Sequence, residues 1–156
     1  MASTEISIRQ AAIADVKVIH GLLDHFAGEG LLLGRSLSSL YDQLRDFLVA
    51  EVNGELVGAC ALHICWEDLA EIRSLAVAQD FQAAGVGRSL VESCLDEAAR
   101  LGLTRVFTLT YRPDFFSKQG FVAIDKSELP HKVWSDCVNC PKFPDCNEEA
   151  MIWERG

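Results

Sequence analysis

An α/β (α+β) sheet with helices packed against it is the fold class that three observations predict. Strand-like and helix-like apolar patterns alternate along the chain in the order β-α-α-β-β-β-α-β-α-β. One long apolar run is split by an Asn-Gly pair, the strongest short hairpin signal, and a glycine-bearing loop separates a later strand from the longest helical pattern. The length, 156 residues, suits a single domain that buries about two-thirds of the surface its unfolded chain exposes.

In chain order, "EISIRQA" alternates like a first strand. Asp15 to about Phe26 reads as a helix, with Val16, Ile19, Leu22, Leu23 and Phe26 at helical spacing. Ser36, Ser38 or Ser39 can cap a second helix carrying Leu40, Leu44 and, at its far end, Phe47. "FLVAEVNGELVGACALHI" then reads as two strands joined at Asn53-Gly54, where both turn residues tolerate positive φ, and "LAEIRSLAV" as a third. A long helix follows the glycine loop. Its stripe is Leu90, Val91, Cys94, Leu95, Ala98 and Leu101, with Glu92, Asp96 and Arg100 toward water and Gly102 as its cap. "RVFTLTY" is a strand, "PDFFSKQ" a short helix opened by Pro113, and "FVAI" and "AMIW" the closing strands.

A formal net charge of -9 excludes a nucleic-acid backbone as partner, which requires a basic footprint. No apolar run is long enough to span a bilayer, and the N-terminus lacks the pattern of a signal peptide, so a cytoplasmic protein is expected. Cys60, Cys65 and Cys94 fall in apolar patterns and read as buried thiols.

"QAAGVGRSL" lies between a strand and a helix, where backbone N–H groups and the helix dipole favour an anion. Gly85 and Gly87 let the backbone approach a phosphate, and Arg88 can add a full charge. The loop lacks the Lys-Ser/Thr of a nucleotide P-loop and the position of a dinucleotide fingerprint.

The succession "EIRSLAV", "AQDFQAAGVGRSLVESCLDEAARLGL", "RVFTLT" and "FFSKQGF" resembles the GNAT acyltransferase superfamily over about residues 5–125. The resemblance implies a mixed central sheet of six to seven strands with helices on both faces. It also implies acetyl-CoA as co-substrate, its pyrophosphate gripped by the loop that matches as Gln82-x-x-Gly85-x-Gly87. Gln82, Ala83, Ala84, Gly85, Val86, Gly87 and Arg88 are then the cofactor-binding candidates, joined by Leu75, Ala76 and Val77 through their backbone groups. Within the superfamily, "EGLLLGRS", "EIRSLAV", "RVFTLTYRPDFFSKQGF" and "LPHKVWSDCVNCPKFPDCNEEAM" are similar to amino-acid N-acetyltransferases of the N-acetylglutamate synthase type, in their short, stand-alone form. Larger members add an amino-acid-kinase-like domain that senses arginine, for which 156 residues leave no room. The implied reaction is acetylation of the α-amine of L-glutamate, the first step of arginine biosynthesis. The alternatives are another amine (glutamine, a polyamine, a protein N-terminus) or a non-enzymatic module that binds acetyl-CoA or zinc.

Acetyl transfer to an amine needs the ammonium deprotonated, the thioester carbonyl polarised and the departing thiolate protonated. Glu71 is the candidate base, matching a glutamate of the family that draws the proton away through water; the alternative is a surface ion pair with Arg73 on the same strand face. The tyrosine that many relatives use as acid is replaced by Phe116, which leaves Thr110 or Tyr111. Arg35 matches the arginine that contacts the amino acid; Ser74, Arg112 and Lys132 complete the substrate candidates.

The tail, about residues 128–148, offers Cys137, Cys140 and Cys146 with His131. Three readings stay open: a tetrahedral zinc, a disulfide, or reduced thiols in a packed loop. "LPHKVW", with His131, Lys132 and Trp134, is tied to substrate recognition, and the cysteines to structural support. The whole chain, 1–156, is one acetyltransferase domain on this reading, its partner a small amino acid, with no nucleic acid, no membrane and a homodimer left open.

Overall fold

A computed structural model describes residues 5–28, 35–129 and 149–155. Seven strands form one sheet: β1 (Ile6–Gln10), β2 (Phe47–Val52), β3 (Glu55–Trp66), β4 (Leu69–Val77), β5 (Arg105–Thr110), β6 (Val122–Ile124) and β7 (Glu149–Glu154). Their order is β1-β2-β3-β4-β5-β7-β6. Only β4 and β5 run parallel; the other pairs are antiparallel, so the sheet is mixed, as predicted. The α-helices among the described residues are α1 (Val16–Gly28), α2 (Leu37–Asp42), α3 (Val86–Arg100) and α4 (Pro113–Lys118).

Local signals place most boundaries. Asn53 and Gly54 adopt φ of 53° and 78°, the turn that lets β2 and β3 fold back with matching twist. The Ser36 hydroxyl accepts from the Ser39 N–H at 3.0 Å and caps α2, an interaction worth about 1 kcal/mol. Gly102, at φ 86°, ends α3: its N–H donates to the Ala99 carbonyl, and that of Leu103 to the Ala98 carbonyl at 2.8 Å.

Two expectations are corrected. The second helix stops at Asp42; Leu44 lies in a 3-10 turn (Leu44–Asp46) and Phe47 opens β2. Phe47 serves the same core as a helical residue would, but by facing α1 from the sheet. Leu101 does not belong to the buried stripe of α3; it is 52% exposed, because the helix ends there and the chain turns away at Gly102.

The helices divide between the two faces. α3 packs Val86, Leu90, Val91, Cys94 and Ala98 on Cys60, Leu62, Ala70, Ile72 and Val106, with Phe116 of α4 in the same cluster. α1 packs Val16, Ile19, Leu23 and Phe26 on the other face, against Phe47, Val49, Ala59, Ala61 and Ala76, with Leu40 of α2. Cys60, Cys65 and Cys94 are buried free thiols.

Candidate active site

The β3–β4 register shifts twice, near the hairpin turn between Ile64 and Trp66 and again further along β4. Ala76 pairs with Ala59 and Arg73 with Ala61, so Ser74 and Leu75 together oppose Cys60. Such a bulge leaves the extra residue's backbone groups outside the ladder. Ser74 takes φ 55°, the left-handed region that a residue with a Cβ adopts at a cost of about 1–2 kcal/mol. The neighbouring parallel ladder also stops here. β4 and β5 pair from Leu69↔Arg105 to Ile72↔Thr108, and the Thr108 hydroxyl donates to the Ile72 carbonyl at 2.9 Å. Beyond that rung Arg73–Val77 and Leu109–Thr110 have no pairing between them among the described residues. The sheet therefore opens at its centre, next to the bulge.

The N-terminus of α3 lies beyond the same end of β4. After the 3-10 turn Gln79–Ala84, which carries Gln82, Ala83 and Ala84, Gly85 turns the chain at φ 87° into the helix. The first helical bond runs from the Ser89 N–H to the Gly85 carbonyl at 3.0 Å, so the N–H groups of Val86, Gly87 and Arg88 precede any intrahelical acceptor. A Cβ on Gly87 would come within 3.3 Å of the Phe115 ring, whereas one on Gly85 would meet open space. Gly85 is thus needed for its backbone angle and Gly87 for a close approach of α4. The Gln82 amide donates to the Val77 carbonyl at 3.1 Å and ties the loop to β4. Arg88 is exposed and paired with Glu92 one turn on, at 2.9 Å. Three consecutive N–H groups, a helix dipole and a cation suit a pyrophosphate.

On the α1 face, Glu71 and Arg73 point the same way, and the Arg73 Nε donates to Glu71 Oε1 at 2.5 Å. The pair is not a solvated surface pair: Glu71 is only 7% exposed and Arg73 half-buried. Arg35 enters from the start of α2. Its guanidinium donates to the Ser39 hydroxyl at 3.1 and 3.3 Å, to the Ser74 hydroxyl at 3.4 Å and to the Gln43 side-chain oxygen. It lies over the Phe47 ring, 5.2 Å from the centroid. All these partners are neutral, and no carboxylate pairs with Arg35 among the described residues. Burial, reinforced by the like charge of Arg73, pushes the Arg35 guanidinium below its usual range, with Asp46 and Glu71 pulling the other way. A half-buried cation beside a second cation, held by neutral oxygens, is a prepared anion site.

The remaining candidates are dispersed. Thr110 is buried, and its hydroxyl accepts from the Arg112 N–H at 2.8 Å. Strand alternation puts it on the α3 face with Val106 and Thr108, opposite to Glu71, whose register partner is Phe107. Tyr111 is half-buried just past β5. Arg112 is exposed at the N-cap of α4; it is not among the hydrogen-bond partners of the Arg35 network, and its side chain makes no hydrogen bond or ion pair among the described residues. Phe116 stacks edge-on with Phe115 and Phe121 in the core. Lys132, His131, Trp134, Cys137, Cys140 and Cys146 lie outside the described residues, and among the described residues no three His, Cys, Asp or Glu side chains gather to hold a metal.

The sequence pattern gave no notice of Ser39, Gln43 and Phe47 around Arg35, nor of the His63–Asp46 pair, with His63 Nδ1 2.8 Å from Asp46 Oδ2. The available signal for His63 is its place: it alternates with Ala61 and Cys65 on the inward face of a strand, where a polar side chain needs a partner.

A profile of the acetyltransferase (GNAT) family matches residues 23–121. The chain belongs to this family. It is an acetyl-CoA-dependent acetyltransferase, and the opened sheet with the α3 N-terminus is its GNAT core. An uncharacterised N-acetyltransferase of Chlorobaculum tepidum is 40% identical over 152 residues, covering 97% of this chain and 98% of the relative. A Mycobacterium tuberculosis protein named amino-acid acetyltransferase is 38% identical over 132 residues, covering 83% of this chain and 75% of the relative. Among solved structures, an N-acetylglutamate synthase of Neisseria gonorrhoeae, complexed with coenzyme A and N-acetyl-glutamate, superposes with a TM-score of 0.88 at 30% identity. That match covers 96% of the GNAT chain described here but 35% of the Neisseria chain. An M. tuberculosis protein in complex with CoA, 32% identical, gives a TM-score of 0.83 with 96% and 99% of the two chains covered. No helix among the described residues of this acetyltransferase is long and apolar enough to cross a membrane.

Proposed function

We propose that this chain transfers the acetyl group of acetyl-CoA to the α-amine of an amino acid, with L-glutamate as preferred acceptor, at the entry to arginine biosynthesis. The observation that carries the reading is Arg35: a half-buried guanidinium whose partners among the described residues are all neutral, within the electrostatic reach of Glu71 and Arg73 and bonded to Ser74 of the bulge. A substrate carboxylate seated there would place the neighbouring α-amine toward Glu71. The names of the M. tuberculosis relative and of the Neisseria synthase support an amino-acid acceptor.

In this reading the N–H groups of Val86, Gly87 and Arg88 hold the pyrophosphate, and the gap between β4 and β5 admits the thioester arm. Acetyl-CoA supplies an activated acyl carbon. Backbone groups of Leu75, freed by the bulge, meet the thioester oxygen, while those of Ala76 and Val77 flank the arm. Glu71 takes the proton from the ammonium, and Thr110 or Tyr111 returns one to the departing thiolate. Attack is direct: Cys60 and Cys94 are buried with their sulfurs 3.7 Å apart, unfit as nucleophiles, since the hydrogen bond with Cys94 and then burial push the Cys60 thiol up.

The test is thiol release from acetyl-CoA against a panel of glutamate, glutamine, a polyamine and a peptide N-terminus. Glutamate is expected to give the highest kcat/KM; a glutamate rate no greater than the acceptor-free background overturns the reading. Glu71→Gln should lower kcat by about 100-fold while leaving the KM for acetyl-CoA within about twofold.

A further inference from the structure

Glu71 is ion-paired and almost fully buried, so a proton it accepts needs an onward route to solvent. Directly opposite Glu71 in the antiparallel ladder is His63 of β3. Opposed residues share a face, with Cβ atoms about 4.5–5.5 Å apart, a separation that one water between the side-chain tips can bridge. The imidazole is held from its other side, where Nδ1 lies 2.8 Å from Asp46 Oδ2. An ionised carboxylate only accepts, so Nδ1 carries the hydrogen and Nε2 is the basic atom of the neutral ring. Nε2 has no hydrogen-bond partner among the described residues. His63 and Asp46, with Gln43, Arg45, Tyr41 and Asp42, line an open cleft of about 490 Å³.

We propose that the His63–Asp46 pair is the second station of the proton removed from the attacking amine, passing it from Glu71 to the cleft. The proposal rests on Glu71 as the base. The ammonium loses one proton to the Glu71 carboxylate; the amine nitrogen bonds the acetyl carbon as the carbon–sulfur bond breaks. The second proton that nitrogen sheds is balanced by the one the departing thiolate takes up, through the Thr110 or Tyr111 hydroxyl, to leave as the free thiol. The proton held by Glu71 moves through the bridging water to His63 Nε2, restoring the carboxylate and forming an imidazolium, and leaves to solvent through the cleft. Asp46 from its turn, Glu71 from β4 and Asp42 of α2 face this imidazolium with negative charge. Arg45 of the turn and Arg73, two residues along β4, oppose them, and the Tyr41 hydroxyl is neutral. His63 is thus a positioned proton carrier rather than a group that touches the substrate.

The experiment compares His63→Ala, His63→Gln, Asp46→Asn, Glu71→Gln and the His63→Ala/Glu71→Gln double variant, each on whichever amine of the panel the wild type acetylates fastest. The relay therefore does not depend on glutamate being the acceptor. Both His63 variants are expected to lower kcat about 10- to 100-fold near neutral pH and to lose one limb of the pH profile, with both KM values within about twofold. Added imidazole should restore His63→Ala in proportion to its concentration, and Asp46→Asn should displace that limb without removing activity. The double variant should be no slower than the slower single variant, as for two groups acting in series. An unchanged kcat and pH profile in His63→Gln overturns the relay while leaving Glu71 as base. Loss in His63→Ala that imidazole does not restore but His63→Gln does marks a packing role and overturns it too. A fully active Glu71→Gln beside an imidazole-rescued His63→Ala removes Glu71 from the mechanism and, with it, the relay in series.

Discussion

The Arg35 guanidinium carbon lies 5.2 Å from the centroid of the Phe47 ring, at the point where β2 begins. Stacking of this kind contributes about 0.5–2 kcal/mol and holds a cation that no carboxylate among the described residues pairs with. Arg35→Ala should raise the KM for the amino acid about 10- to 100-fold, the equivalent of one charge-assisted bond of about 1.5–3 kcal/mol. Initial-rate kinetics should show kcat and the KM for acetyl-CoA little changed. Arg35→Lys should recover only a small part, because an ammonium neither stacks nor binds bidentately in the same way.

Ser74 separates strain from chemistry. At φ 55° a glycine relieves the backbone, so Ser74→Gly should stabilise the fold by about 0.5–1 kcal/mol in urea unfolding. The same change removes the hydroxyl that accepts from Arg35, and the KM for the amino acid should rise several-fold. A variant both more stable and equally active would show that the serine has no part in positioning Arg35.

The two glycines of the loop should respond differently. Gly85→Ala forces a Cβ into φ 87° and should cost about 1–2 kcal/mol of stability. Gly87→Ala meets Val77 at ordinary contact distance and crowds the Phe115 ring, on a half-buried side chain that can yield by a few tenths of an ångström. Its stability cost should stay below about 1 kcal/mol, and the KM for acetyl-CoA should stay within about twofold, because the added methyl points at Phe115 and Val77 and leaves the first-turn N–H groups uncovered. Thermal unfolding and acetyl-CoA titration distinguish the two outcomes.

Asp15 locks the entry to α1. Its carboxylate accepts from Arg9 at 2.7 and 3.0 Å and from the Ala12 N–H at 2.7 Å. The Arg9 hydrogen bonds, assisted by Ala12 and opposed by burial, hold the carboxyl below its ordinary value of 3.8. A depressed folded pKa contributes stability that is fully present above the unfolded value and is lost as pH falls through the folded one. Asp15→Asn should therefore cost about 1 kcal/mol at neutral pH, at the low end because Arg9 is partly exposed. The difference from wild type should shrink as pH falls below 3.8. Urea unfolding at neutral and acidic pH measures both.

Elements set by a few neighbouring residues were legible in the chain. The Asn53-Gly54 turn, the Ser36 cap, Pro113 at the start of α4 and the Gly102 terminus each depend on contacts within about five residues. The end of α2 was not legible, because Leu44 and Phe47 continue the helical spacing and only the pairing of β2 with β1 and β3 draws Phe47 into the sheet. The glycine loop could be read for the same local reason as the turns. The surroundings of Arg35 could not: Ser39 and Gln43, four and eight positions on, carry no pattern that marks them as its partners, and the contact with Ser74 spans 39 positions of sequence.

By itself, the sequence determined the family, the order of elements, the glycine loop before the longest helix and the acidic and basic residues available for chemistry. The tertiary structure decided which of them meet. The bulge at Ser74 and Leu75 exists only because β4 carries one more residue than β3 between two fixed pairs, and the opening beside it only because the β4–β5 ladder stops at Ile72↔Thr108. Likewise His63 faces Glu71 through strand register, and Asp46 reaches His63 because the turn before β2 lies beside β3. Register is a property of two strands at once, so no single segment encodes it, and the groups it brings together come from neighbouring strands rather than from one stretch of chain.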